Sequence, residues 1–293
     1  TVASLCIVTS SVLIFLFSLE TSLTMTSFFL LTFCITLVSV GGFKFLEKLV
    51  SFLVVMFTVI TIVVTSVVVY KYEILYSFTF LPTDITLEKL FFIVALLGFM
   101  PVGLEAGIWT SLWTLEKAKS TPSVTALKNF RLDFNIGFIG TIILAICFVI
   151  LGTAVMYNSD LEFSKNGPKF IEQLIGIYSD IIGSWSVPLV GTCVCAALFS
   201  TLILLVDGYP RSLMVTYARL TSDENPWEQR PKIQYKIHKV IMVVGAFGSI
   251  FLIYQFSKSF STFIDFVTTS AFVMTPVVAI LNHFAMNSDA VPI

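Results

Sequence analysis

Residues 51–70 read SFLVVMFTVITIVVTSVVVY. No Asp, Glu, Lys or Arg interrupts them, and apolar side chains occupy every face of a helix instead of alternate positions. A hydrocarbon core about 30 Å thick is crossed by roughly 20 residues of helix. Spanning strands would be about ten residues long and alternate in polarity. A helix also satisfies its own backbone hydrogen bonds in lipid, so this stretch predicts a transmembrane helix.

Working outward, comparable runs lie near residues 2–19, 26–42, 88–117, 134–156, 186–207, 237–256 and 260–283, which with 47–70 makes eight. The chain is 57% hydrophobic and 12% charged, against about 25% charged in soluble domains. Its mean hydropathy is +0.95. The expectation is an all-α integral membrane protein with about eight transmembrane helices, a single transmembrane domain over residues 1–293, with the lipid bilayer as its partner.

Other classes lack their parts. A net charge of −1 and the lack of an Arg-rich stripe point to no nucleic acid partner. All five cysteines fall in apolar runs, and Cys193-x-Cys195 has no zinc-site spacing. The two histidines, His238 and His283, are too few for a multi-His metal site or a Ser-His-Asp hydrolase, and no GxxxxGK[ST] pattern marks an ATP-driven pump. The chain reads as no enzyme and as needing no cofactor, which leaves secondary transport. Thr1 stands inside an apolar run without a basic n-region, so the first segment is expected to be an internal helix of a longer protein and not a signal peptide.

Lys and Arg accumulate on the cytoplasmic side of short loops. Alternate loops hold Lys44, Lys48, Lys117, Lys119, Lys128, Arg131, Arg211, Arg219, Arg230, Lys232, Lys236 and Lys239 on one side, against Lys71, Lys89, Lys165, Lys169 and Lys258 on the other. This places both ends of the chain in the cytoplasm and predicts a multi-pass cell-membrane protein, in a bacterial inner membrane. Residues 157–185 then form an outer loop whose PKFIEQLIGIYSDIIGSW pattern predicts an amphipathic helix along the interface. Residues 208–236 form a cytoplasmic loop, entered through the turn signals of Val206-Asp-Gly-Tyr-Pro-Arg211.

Polar groups within a bilayer are expensive and mark function by default. In the fourth run, Gly98, Met100, Pro101, Gly103, Glu105 and Gly107 gather near the midpoint. Pro101 removes a helix hydrogen bond and the glycines ease departure from helical geometry, which predicts a broken helix. Such breaks occur at depth where they line a cavity, as in secondary transporters. The plainer alternative is a proline kink with Glu105 snorkelling. In the last run Asp265 is followed by Thr268 and Thr269, as pathway groups or as an interfacial cap. Asp207 is more a turn residue than a transport residue, Asp133 and Asn135 look like N-terminal charge and capping of the fifth run, and Ser200 and Thr201 are expected to back-bond to their own helix. Gly137-x-x-Gly140 and Gly245-x-x-Gly248 read as packing features.

At GFMPVGLEAGIWTSLWTLEKAK the chain resembles the NRAMP-type divalent metal transporters, whose sixth helix is broken at a Met-Pro pair. It looks closest to an NRAMP-related bacterial branch, with similar stretches at Phe45-Leu-Glu-Lys-Leu, Leu132-Asp-Phe-Asn-Ile-Gly, Val206-Asp-Gly-Tyr-Pro-Arg211 and Asp265-Phe-Val-Thr-Thr. The resemblance implies a LeuT-like fold of two inverted five-helix repeats, with the runs corresponding to helices three to ten and the first two helices missing, the first of which carries an Asp and an Asn as the main metal ligands. It implies that Met100 gives its sulfur and Leu97 a backbone carbonyl to a divalent transition-metal cation such as Mn²⁺ or Fe²⁺, carried as substrate. A thioether favours those ions over Mg²⁺ or Ca²⁺. Glu105, where better-known members have a tyrosine or another residue, would replace or supplement a ligand. Two other readings stand beside this one: a LeuT-like carrier of an organic solute such as an amino acid, and a non-transporting structural membrane subunit.

Overall fold

The computed structural model describes residues 1–40, 44–72, 86–99, 106–120, 126–155, 164, 166–221, 231–256 and 259–287. Among the described residues the regular elements are all α-helices: α1 (Val2–Phe17), α2 (Leu23–Val40), α3 (Lys44–Tyr72), α4 (Leu87–Phe99), α5 (Ala106–Ser120), α6 (Ala126–Val155), α7 (Gly167–Ile182), α8 (Ser186–Thr221), α9 (Pro231–Phe256) and α10 (Phe260–Met286).

Among the described residues five stretches are long and apolar enough to cross a membrane: Ser51–Lys71, Arg131–Ala154, Ser186–Tyr217, Lys236–Phe256 and Phe260–Met286. This is compatible with a multi-pass membrane protein in contact with lipid. The expected eight spans are therefore not eight equal helices. The first two runs make helices of 16 and 18 residues. Ser18 ends α1 in the left-handed conformation (φ 47°), and the Ser18 and Leu19 N–H groups close back on the Phe15 and Ile14 carbonyls, as in a Schellman cap. The fourth run is described as two helices of 13 and 15 residues. Residues 100–105 between them lie outside the described residues, and the described parts reach about 20 and 22 Å at 1.5 Å per residue.

The chain divides into two compact units, residues 1–72 with 151–263 and residues 73–150 with 264–293. In the first, α8 is the central post and packs against α1, α2, α3, α7 and α9. Its inward face holds Val190, Cys193, Leu202, Leu205 and Val206. Gly191 lets α1 approach, because a Cβ there would collide with Leu16. α7 is the amphipathic helix expected within 157–185. Asn166 caps it by accepting from the Lys169 N–H, and Pro168 occupies its first turn. Its apolar stripe, Ile171, Ile175 and Tyr178, is buried against α1, α3 and α8, so the stripe meets protein.

The second unit contains α4, α5, most of α6 and most of α10. There α6 begins at Ala126, so Asp133 and Asn135 are exposed residues inside the helix and not its caps. Gly137 and Gly140, and in the first unit Gly245 and Gly248, meet nothing within 4 Å of an added Cβ. Among the described residues these glycines mark no close helix contact.

The segment expected as a loop over 208–236 differs most. α8 continues as helix through Pro210 to Thr221, and α9 resumes at Pro231. The turn signals at Asp207-Gly-Tyr-Pro are overridden by packing, since Val206, Asp207, Gly208 and Pro210 are all buried.

One contact tests the packing of α7. A Cβ added to Gly167 would meet the Ser11 hydroxyl, which is bonded to the Ile7 carbonyl at 2.8 Å. Gly167→Ala is expected to destabilise the protein by about 1–3 kcal/mol through overpacking, read as a lower unfolding midpoint in detergent. Adding Ser11→Ala should recover most of the loss; simple additivity of the two changes would contradict the contact.

Candidate functional site

The sequence points first to the junction of α4 and α5. The last four carbonyls of a helix and its first four N–H groups have no partner within the helix. Leu97 and Gly98 belong to the last turn of α4 and Gly107 to the first turn of α5. Met100, Pro101, Gly103 and Glu105 lie outside the described residues. The Leu97 side chain is exposed.

The second group is on α10. Asp265 is the sixth residue of that helix and exposed, so it is not the N-terminal cap. Thr268 donates its hydroxyl to the Ile264 and Asp265 carbonyls at 2.9 and 3.0 Å, and Thr269 is half-buried. Among the described residues no hydrogen bond or ion pair links Asp265, Thr268 or Thr269 to Leu97 or Gly98, and no three His, Cys, Asp or Glu side chains converge to hold a metal ion. Ser200 and Thr201 both donate to the Ala197 carbonyl, at 2.8 and 2.9 Å, as expected of helix back-bonding.

A different cluster lies where α8 meets α9. Asp207 is only 8% exposed. Arg211, one turn on, donates from Nε to Asp207 Oδ2 at 3.1 Å and from Nη2 to Oδ1 at 3.2 Å, the bidentate geometry that makes Arg–carboxylate pairs strong. His238 on α9 brings Nε2 to 3.1 Å from Asp207 Oδ1 and 3.4 Å from the Asp207 carbonyl. Both oxygens are acceptors, so Nε2 carries the proton, and the shorter contact to Oδ1 is the principal bond. Beside the cluster is an apolar cavity of about 250 Å³, lined by Leu205, Val206, Tyr209, Pro210 and Leu213 of α8 and Ile241, Met242, Gly245 and Ala246 of α9, with Val2 and Leu31.

The sequence predicts Asp207 as a turn residue and gives His238 no site. The available signal was the i, i+4 spacing of Asp207 and Arg211, which brings opposite charges together only on a helix. Nothing in the sequence alone pairs His238 with them, 31 residues away.

No family model matches the chain, and no solved structure matches it. An uncharacterized protein of Pasteurella multocida is 33% identical over 196 residues, covering 67% of this chain and 43% of that protein. The chain's match thus spans less than half of that relative's length.

The cluster makes a sharp energetic prediction. Leaving one member of a buried ion pair unpartnered costs about 3–5 kcal/mol, whereas replacing the whole group with apolar residues of similar volume is nearly neutral or stabilising. The double change Arg211→Met, His238→Leu, which leaves the Asp207 carboxylate without either partner, should lower the unfolding midpoint in detergent strongly. The triple change Asp207→Leu, Arg211→Met, His238→Leu should restore most of it, and a triple variant less stable than the double one would refute this view of the cluster.

Proposed function

We propose that the chain is part of a secondary transporter that moves divalent transition-metal cations of the Mn²⁺ and Fe²⁺ type by alternating access around a break at residues 98–107, in a LeuT-like inverted-repeat fold. The observation that carries the reading is the pair of short helices α4 and α5 flanking Met100 and Glu105. Gly98, Pro101 and Gly103 favour departure from the helix between them, and a break there would put backbone carbonyls and N–H groups beside a thioether and a carboxylate.

In this mechanism the Leu97 carbonyl, the Met100 sulfur and the Glu105 carboxylate take up the ion, and Gly98, Pro101 and Gly103 keep the backbone out of the helical ladder. The sulfur selects softer transition metals over Mg²⁺ and Ca²⁺. Asp265, Thr268 and Thr269 line the pathway, with further ligands supplied by parts of the protein outside this chain. The basic loops face the cytoplasm of a bacterial inner membrane.

Uptake by the whole protein in proteoliposomes tests the reading. Met100→Ala and Glu105→Gln should each raise the Mn²⁺ concentration for half-maximal uptake by roughly tenfold, the equivalent of about 1.4 kcal/mol. Met100→Ala should also narrow the preference for Mn²⁺ over Ca²⁺. Unchanged uptake in both variants would remove this site, and inhibition of uptake by amino acids but not by metals would favour an organic-solute carrier.

A further inference from the structure

α8 is 36 residues long, about 54 Å at 1.5 Å per residue, and reaches beyond the roughly 30 Å that a bilayer core demands. Its burial changes abruptly along its length. From Leu202 to Pro210 nearly every residue is buried, whereas from Arg211 to Thr221 none of the described side chains is, and Leu213 and Leu220 are 57% and 81% exposed. The change falls at the helix's weakest point. Pro210 has no N–H to give to the Val206 carbonyl, and its ring crowds that carbonyl. Gly208, two residues earlier, adds backbone freedom.

The Asp207 carboxylate spans this point. Arg211, just beyond Pro210, is tied back to it by two bonds, and His238 ties the same carboxylate to α9. Tyr209, Pro210 and Leu213 line the apolar cavity of about 250 Å³ together with Ile241, Met242 and Ala246, so among the described residues the end of α8 has open space beside it.

We infer that residues 211–221 form a hinged arm, pivoting at Gly208–Pro210 and latched to α9 through Asp207, Arg211 and His238. Arm and latch involve α8 and α9 alone, apart from the residues of the proposed transport site. With the latch closed, the arm continues α8 as helix to Thr221. With His238 disengaged, Arg211 and Asp207 lose their fixed orientation relative to α9, and the arm can bend toward the cavity without breaking the buried core above it.

Hydrogen exchange of the full chain in detergent micelles, at one pH, tests the latch. His238→Leu removes the donor while keeping bulk, and amides 212–221 should then exchange roughly tenfold faster, with α1 amides unchanged. His238→Gln keeps an N–H donor near Asp207 and should stay near wild type. Pro210→Ala restores the missing backbone bond and should slow exchange around the hinge even with the latch intact, a measurement that remains if His238→Leu does not fold. Equal exchange of 212–221 in His238→Leu and wild type, equal acceleration of α1, or no effect of Pro210→Ala would overturn the inference.

Discussion

An unpaired polar group in hydrocarbon costs several kcal/mol, and every level of this fold answers to that constraint. The backbone answers by being helical in every regular element described. Side-chain hydroxyls answer by turning onto their own helix, as Thr9 does to Leu5, Thr65 to Thr61 and Ser249 to Gly245. Where two helices approach closely the groups satisfy each other instead: Ser27 of α2 donates to Ser10 of α1 at 2.9 Å, and the Cys6 thiol reaches the Ser27 carbonyl. Among the described residues no buried side-chain nitrogen or oxygen lacks a partner. A first helix as rich in small polar residues as α1 can therefore sit at the centre of an apolar block.

The same constraint governs Asp207, the carboxylate found buried among the described residues. A carboxylate as enclosed as Asp207 is held by three donors from two helices, so its charge is matched within a few ångströms. That demand keeps α8 helical across Gly208 and Pro210, where local propensity favours a turn. A proline is tolerated there because packing and ionic contacts supply what the backbone ladder loses.

The apolar runs made the helices legible, because a stretch such as 51–70 has one stable conformation in lipid. The amphipathic period of 171, 175 and 178 made α7 legible for the same reason, although the pattern does not say whether its apolar stripe meets protein or lipid. The end of α8 was hidden: Asp-Gly and Tyr-Pro are local signals, and what overrules them is contact with α9, 31 residues on. The limits of α1 and α2 were blurred by Ser18-Leu-Glu-Thr-Ser22, where a left-handed serine does the work usually given to glycine. Of the expected pathway residues, Leu97, Gly98, Asp265, Thr268 and Thr269 fall on helices α4 and α10. Hydropathy alone did not reveal that Asp265 is exposed or that the Thr268 hydroxyl is taken by its own backbone.

α7 is the shortest helix of its unit along with α1, yet it touches α1, α3 and α8 together. Tyr178 places its hydroxyl 3.1 Å from that of Thr61 on α3, Gly167 admits Ser11 of α1, and Ile175 lies against Gly191 of α8. In mechanical terms it is a crossbar. Parting any two of the three posts would strip Ile171 and Ile175 of their cover and open the Tyr178–Thr61 pair, so at this end the posts travel as one block, and relative motion within the unit must be taken up elsewhere along their length.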